Sequence, residues 1–124
     1  MILAVTINFT VPGKPISYKR VTHGGRPHNP TIYREYRSTV ALIARSAMRN
    51  STCTDKPVSV VVKVFHPVKA DSKQSGDIDN HLKSILDALN GIAFKDDGQV
   101  VQAEVYKFKD KINPRVEVSV TDEL

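Results

Sequence analysis

The side chains best suited to chemistry lie in one acidic segment of the chain, residues 76–100. Asp77 and Asp79 open this segment, and Asn80 and Lys83 follow them. At about 100° per residue, Asp79, Asn80 and Lys83 fall within roughly a third of a helix circumference. An apolar stripe covers the opposite side of the same predicted helix. The segment therefore presents carboxylates, an amide and an ammonium on one polar face.

A second acidic pair, Asp96 and Asp97, follows this helix and precedes the next predicted strand. We expect helix and strand to pack so that this pair meets Asp77 and Asp79. Two carboxylates about 4 Å apart repel by roughly 4 kcal/mol at an effective dielectric of about 20. A bound divalent cation removes that cost, and oxygen ligands without a paired His or Cys favour Mg²⁺ or Mn²⁺ over zinc. The four acids therefore predict one divalent-metal site.

Each of these residues also has a structural alternative. Either Asp77 or Asp79 can serve as a helix N-cap, and Asp96-Asp97-Gly98 is also typical of a turn before a strand. Lys83 and Asp87 are spaced to form an ion pair that stabilises the helix. The functional alternative for Lys83 is a cation directed at a scissile phosphate or at a leaving oxygen.

The elements that must position these residues predict a small α/β domain. Alternating apolar residues predict four strands, over residues 3–11, 58–64, 100–109 and 115–120. Helical spacing predicts two helices, from about 31 to 49 and from 78 to 89. The order β-α-β-α-β-β indicates a small mixed β-sheet with two main helices. The chain has 124 residues and no long linker, so we expect a single domain over residues 1–124.

Charge is divided unevenly along the chain, although the total is only +5. Residues 1–70 carry eleven Lys or Arg and two Asp or Glu, whereas residues 71–124 carry seven and eleven. A basic half favours a polyanionic partner such as DNA. The alternative is a solvated surface that keeps the protein soluble. The basic side chains lie in a predicted loop over residues 12–30 and on the first helix: Lys14, Lys19, Arg20 and Arg26, then Arg34, Arg37, Arg45 and Arg49. We expect the loop residues, with Arg34 and Arg37, to contact DNA.

Composition excludes several classes of protein. Hydrophobic residues make up 40% and charged residues 25%, which is typical of a globular chain. No apolar run approaches the roughly 18 residues that a membrane span needs, and the first ten residues alternate like a strand rather than a signal peptide. Cys53 is the single cysteine, so no intrachain disulfide is possible. We therefore expect a cytoplasmic protein without a membrane partner or an organic cofactor.

The chain contains three runs of residues with distinctive fixed gaps: Asp77-x-Asp79-Asn80-x-x-Lys83-x-x-x-Asp87-Ala88-Leu89, then Asn90-Gly91-x-x-Phe94-x-Asp96-Asp97-x-Gln99-Val100, and Val11-Pro12-Gly13-Lys14-Pro15. Together they resemble a known family, the RusA-type Holliday-junction resolvases, which are common in prophages. The last run is similar to the family's amino-terminal turn. Residues 16–30 depart from the family pattern.

The resemblance implies a homodimeric, Mg²⁺-dependent endonuclease of small α/β fold that acts in DNA recombination and repair. Such an enzyme nicks two opposing strands of a four-way DNA junction. By position, the implied catalytic acids are Asp77, Asp79 and Asp97, and the implied essential lysine is Lys83. Asp96 matches an adjacent acid. Paired cuts call for two related sites, which a C₂ dimer provides, through either the strand 58–64 or the hairpin that begins at residue 100.

Two other functions stay open at this point. The first is a non-catalytic nucleic-acid-binding module in which the acidic helix is structural. The surplus of carboxylates argues against it, because a simple DNA binder gains nothing from acids near phosphates. The second is a general metal-dependent nuclease that acts on flap or linear DNA. Cleavage of a four-way junction, a flap and a duplex, with and without Mg²⁺, separates these functions.

Overall fold

The computed structural model describes residues 5–19, 21–23, 26–28, 31–49, 51 and 53–122. Its strands are β1 (Thr6–Pro12), β2 (Val21–His23), β3 (Arg26–His28), β4 (Val58–His66), β5 (Val100–Lys109) and β6 (Arg115–Asp122). Its α-helices are α1 (Thr31–Met48) and α2 (Ile78–Leu89). Short 3₁₀ helices precede α2 and β5, at Lys73–Ser75 and Asp97–Gln99.

Four strands form one mixed sheet in the order β1-β6-β4-β5. β6 lies antiparallel to both β1 and β4, whereas β4 and β5 are parallel. A parallel pair needs a crossover between its strands, and α2 provides it. β5 is therefore one edge of the sheet, and the start of β4 lies beside the start of β5.

The core lies between one face of this sheet and the two helices. Successive side chains of a strand point to opposite faces, and every second residue of β4 is fully buried, namely Val58, Val60, Val62 and Val64. Strand β6 adds Val116, Val118 and Val120 to the same cluster, and the helices add Val40, Ile85 and Leu89. Neither helix of the described residues is long and apolar enough to span a bilayer.

The predicted fold class is confirmed, as are the two main helices and the order of the main elements. Helix α2 has the predicted bounds, and α1 ends one residue earlier than predicted. The segment predicted as a loop contains the two-stranded hairpin of β2 and β3. Strands of three residues are too short to show an alternation in the sequence, so the pattern did not indicate them.

Candidate functional site

The start of α2 carries the first acidic pair. Asp77 occupies the N-cap position with an extended backbone, but its side chain makes no capping hydrogen bond. The only hydrogen bond that Asp79 accepts among the described residues comes from the adjacent Asn80 N–H, 3.0 Å from Oδ1. Both carboxylates are exposed, and the helix dipole stabilises negative charge at this end. Capping therefore does not account for Asp77, and carboxylate oxygens stay available at both residues.

Lys83 lies one helical turn after Asp79 and contacts two side chains. Its ammonium is 3.6 Å from Asp87 Oδ1 and 4.8 Å from the centre of the Tyr18 ring. The ion pair predicted from the sequence is thus confirmed. Such a pair contributes only about 0–1 kcal/mol when exposed, and the Lys83 side chain is 48% exposed. Lys83 can therefore leave Asp87 for a stronger anion at small cost.

Asp87 is itself fixed by a buried tyrosine of α1. The Tyr33 hydroxyl donates to Asp87 Oδ2 at 2.8 Å, and the Tyr18 ring packs edge-on against Tyr33 with 5.2 Å between ring centres. Burial first, and then Asp87, raise the pKa of Tyr33 far above its ordinary value. The hydroxyl is therefore a permanent donor to Asp87. Sequence reasoning missed this link because 54 residues separate its two ends.

The two acids of the second pair have different roles in the fold: one caps a helix, and the carboxylate of the other has no partner among the described residues. Asp96 caps the short helix before β5, since its Oδ2 accepts the Gly98 N–H at 2.8 Å and its own N–H donates to Gln99 Oε1 at 3.0 Å. This reciprocal arrangement is a capping box. The exposed Asp97 carboxylate makes no hydrogen bond or ion pair with the described part of the chain. The turn alternative thus holds for Asp96 alone.

The two acidic pairs lie at opposite ends of the parallel strands β4 and β5. The start of α2 contacts the end of β5, where Lys107 Nζ donates to the Gly76 carbonyl at 2.7 Å. The segment that holds Asp97 contacts the chain just before β4, where Gln99 Nε2 donates to the Thr54 carbonyl at 3.0 Å. Helix α2, about 18 Å long at 1.5 Å per residue, separates the two places.

The expected meeting of Asp77 and Asp79 with Asp96 and Asp97 therefore does not occur within one chain. Over the residues that the structure describes, no group of three or more His, Cys, Asp or Glu side chains is placed to hold a metal ion. The reason is that α2 is the crossover from β4 to β5, so the chain has travelled the length of the sheet between the two pairs. The catalytic roles of these acids stay predictions.

The turn before Asp77 packs against a buried histidine, His81, which is 3% exposed. Its Nε2 donates to the Ser75 carbonyl, and its backbone N–H donates to the Asp77 carbonyl at 3.0 Å. Burial of the ring lowers the pKa of His81. His81 is thus a neutral hydrogen-bonding residue of the turn, a role that its position beside the apolar stripe did not indicate.

The first part of the basic loop, over residues 13–19, lies along α2. The Tyr18 N–H donates to the Asn80 carbonyl at 2.9 Å, and Ser84 Oγ donates to the Ile16 carbonyl at 3.0 Å. Lys14 and Lys19 are exposed and line a cavity of about 200 Å³ beside the turn before α2. The loop therefore brings two of the predicted DNA-binding lysines close to the turn that precedes Asp77.

The other residues predicted to contact DNA are four arginines, and the structure describes the side chains of two of them. Arg34 is exposed and donates to Thr31 Oγ1 at 3.2 Å, and the Arg37 guanidinium is 5.8 Å from the centre of the Tyr33 ring. Arg37 therefore lies beside Tyr33, which bonds Asp87, whereas the contact of Arg34 is local to the start of α1. Arg20 and the side chain of Arg26 lie outside the described residues.

Comparison with known proteins identifies the family. The family described as Endodeoxyribonuclease RusA matches residues 12–121, a range that includes Asp77, Asp79, Lys83 and Asp97. The uncharacterized protein YqaN of Bacillus subtilis (strain 168) is 35% identical over an alignment of 138 positions, gaps included, which covers 94% of this chain and 96% of the relative. The chain therefore belongs to the RusA endodeoxyribonuclease family.

Proposed function

We propose that this protein is a divalent-metal-dependent endonuclease that cuts two opposing strands of a four-way DNA junction. The family is one of Holliday-junction resolvases, which supports junction DNA as the substrate. The observation that carries the proposal is the start of α2, where Asp77 makes no capping bond and Asp79 accepts one local bond. Exposed carboxylates that the fold does not use, beside a basic loop, suit chemistry on a phosphate.

The donor set of this site fits a hard divalent ion. Mg²⁺ is commonly bound by one or two carboxylates together with waters and substrate phosphates, and Asp77 and Asp79 supply two carboxylates within one helical turn. Oxygen ligands of this kind suit Mg²⁺ or Mn²⁺. A bound ion would activate water for attack on phosphorus and offset charge on the leaving oxygen.

Lys83 supplies a positively charged side chain to the site, in addition to the metal ion. From its place one turn after Asp79, its ammonium would donate to a nonbridging or leaving oxygen of the scissile phosphate. The contact with Tyr18 and the weak pair with Asp87 hold the side chain near this position. The Tyr33 hydrogen bond would keep Asp87 in place if Lys83 moved to the phosphate. Asp87 would then be available to pair with Lys83 again after the reaction.

We further propose that two copies of the chain share their acids. As the edge strand of the sheet, β5 has an outer row of backbone groups with no partner strand among the described residues. It also exposes Val101 by 65% and both Tyr106 and Phe108 by 42%. These features suit pairing of β5 with its own copy around a two-fold axis.

Antiparallel pairing of two β5 strands would complete the site. In such a pair the start of one strand lies beside the end of the other. Asp97 precedes the start of β5, and Asp77 lies beside its end, next to Lys107. Asp97 of the partner subunit would therefore approach Asp77 and Asp79. The two sites of such a dimer are related by two-fold symmetry, as are the two strands that a resolvase cuts.

Cleavage of three labelled substrates of matched sequence tests the proposed function: a four-way junction, a flap and a duplex. We expect nicks at symmetrical positions in opposing strands of the junction with Mg²⁺, and none with a chelator. The flap and the duplex should stay intact. Comparable cutting of the flap or the duplex would instead identify a general metal-dependent nuclease. Tight junction binding without any cut would identify a non-catalytic module.

Junction binding is expected to depend steeply on salt. If the basic loop and α1 neutralise about six phosphates, the affinity falls roughly a thousandfold between 50 and 200 mM salt. Fluorescence anisotropy of a labelled junction measures this slope, and the double variant Lys14→Ala, Lys19→Ala should lower it by about two. Lys63→Ala removes an exposed charge from the other face of the sheet and should leave the slope unchanged. A flat salt response of the native protein would contradict the assigned DNA surface.

A further inference from the structure

Strand β5 reaches across to the turn that precedes Asp77. Lys107 Nζ donates to the Gly76 carbonyl at 2.7 Å and to Ser75 Oγ at 3.0 Å. A lysine ammonium has three hydrogens, and two of them here bind the two residues immediately before Asp77. Lys107 forms no ion pair with a carboxylate of the described residues. The partly buried Lys107 ammonium therefore bonds this turn and not a carboxylate.

The same turn is also held by α2 and by its own backbone. His81 Nε2 donates to the Ser75 carbonyl, while the single hydroxyl hydrogen of Ser75 is shared between the Ala70 and Ser72 carbonyls, which lie 2.9 and 2.7 Å from Oγ. Ser75 is 1% exposed, so its polar atoms are satisfied by protein. The backbone that leads into Asp77 is therefore bonded by both β5 and α2.

Gly76 shows how closely this turn is packed. Its φ is +82°, and a Cβ built there would lie 2.7 Å from both His81 Nε2 and Ser17 Oγ. Only glycine combines this backbone conformation with so little space. Gly76, the residue before Asp77, is therefore tightly enclosed by His81 and Ser17.

We infer that Lys107 and His81 are positioning residues for the Asp77 carboxylate. They bond Ser75 and Gly76 from two different elements, β5 and α2, and so hold Asp77 in one place in front of α2. The inference rests on the proposed function, because that function assigns Asp77 to the site. Displacement of a catalytic group by about 1 Å can cost about a hundredfold in rate, so fixing this turn matters even though neither residue touches the substrate.

Lys107→Met tests the inference, because it removes the ammonium and keeps an unbranched side chain that is one atom shorter. The first readout is hydrogen exchange of the backbone amide of His81, measured without metal or DNA. This N–H donates to the Asp77 carbonyl. We expect this amide to exchange at least about tenfold faster, while the Ile85 and Leu89 amides keep their rates. The second readout is cleavage kinetics, where kcat should fall about 10- to 100-fold with the junction Kd unchanged.

Two further variants serve as rescue and control. Lys107→Arg should restore much of both readouts, because a guanidinium can also donate to two acceptors. Lys63→Met removes an exposed lysine from the other face of the sheet and should behave like the native protein. If circular dichroism shows that Lys107→Met does not fold, His81→Gln is compared with His81→Leu in cleavage kinetics and in exchange of the amide of residue 81, corrected for the intrinsic rate of each side chain. Glutamine keeps an N–H donor for the Ser75 carbonyl, and leucine does not.

The outcomes separate this inference from the proposed function. An unchanged His81 exchange rate in Lys107→Met overturns the inference, and so does faster exchange with normal cleavage. A native protein that leaves every junction intact with Mg²⁺ overturns the proposed function, and the catalytic part of the inference with it. Faster exchange together with a lower kcat, rescued by arginine, supports both.

Discussion

Asp79→Asn is expected to abolish junction cleavage and to leave junction binding as tight as in the native protein, or tighter. Asparagine keeps an oxygen for the Asn80 N–H but lacks the negative charge that makes a carboxylate a strong Mg²⁺ ligand. Loss of one negative charge beside the DNA phosphates favours binding. We expect cleavage to fall by at least about a thousandfold, which corresponds to roughly 4 kcal/mol of transition-state stabilisation.

Asp71→Asn is the matched control for this substitution. Asp71 is an exposed acid outside the site, and its replacement changes the net charge by the same amount. Cleavage by Asp71→Asn should equal that of the native protein, and anisotropy should give both variants a junction Kd at or below the native value. Full Mg²⁺-dependent cleavage by Asp79→Asn would remove Asp79 from the proposed site.

The parts of the fold that depend on local pattern could be predicted from the sequence. The alternating valines of β4 and the apolar stripe of α2 both follow from burial of one face, so the type of both elements and the bounds of α2 could be predicted. Strand β4 begins where predicted and ends two residues later, at His66. The strand order β1-β6-β4-β5 depends on pairing between residues far apart in the chain. No periodicity in the sequence encodes that pairing.

The same distinction applies to the site. Asp79, Lys83 and Asp87 lie on one helix, so helical spacing was sufficient to predict their shared face and the Lys83–Asp87 pair. A meeting of Asp77 with Asp97 depends on where α2 begins and ends relative to the sheet. The predicted length of α2 already implied that Asp77 and the residues after the helix lie about 18 Å apart. This length could have shown from the sequence that Asp77 and Asp97 do not meet within one chain. Contacts such as Tyr33 with Asp87 and Lys107 with Gly76 join distant segments and had no sequence signal.

A mixture of two inactive variants, Asp79→Asn and Asp97→Asn, is expected to regain cleavage. Each homodimer has no complete site, because every site lacks one carboxylate. In a mixed dimer that shares acids between chains, one site keeps both carboxylates and the other has neither. Each active dimer should therefore nick only one strand of a junction. With random exchange of subunits, the nicking rate should reach about a quarter of the native rate.

A second mixture provides the control. Asp79→Asn and Lys83→Met both alter the α2 face of a site, so no dimer made from these two chains has an intact site. This mixture should stay inactive under the same exchange conditions. Sedimentation at micromolar concentration should show a dimer for every variant, and a monomer would contradict the shared site.

The most direct test of the shared site is the nicking of a four-way junction, labelled on its opposing strands, by these exchanged mixtures with Mg²⁺. We predict single-strand nicks from the mixture of Asp79→Asn with Asp97→Asn, and none from the mixture of Asp79→Asn with Lys83→Met. If neither mixture nicks the junction although both contain mixed dimers, the acids of two chains do not form one site.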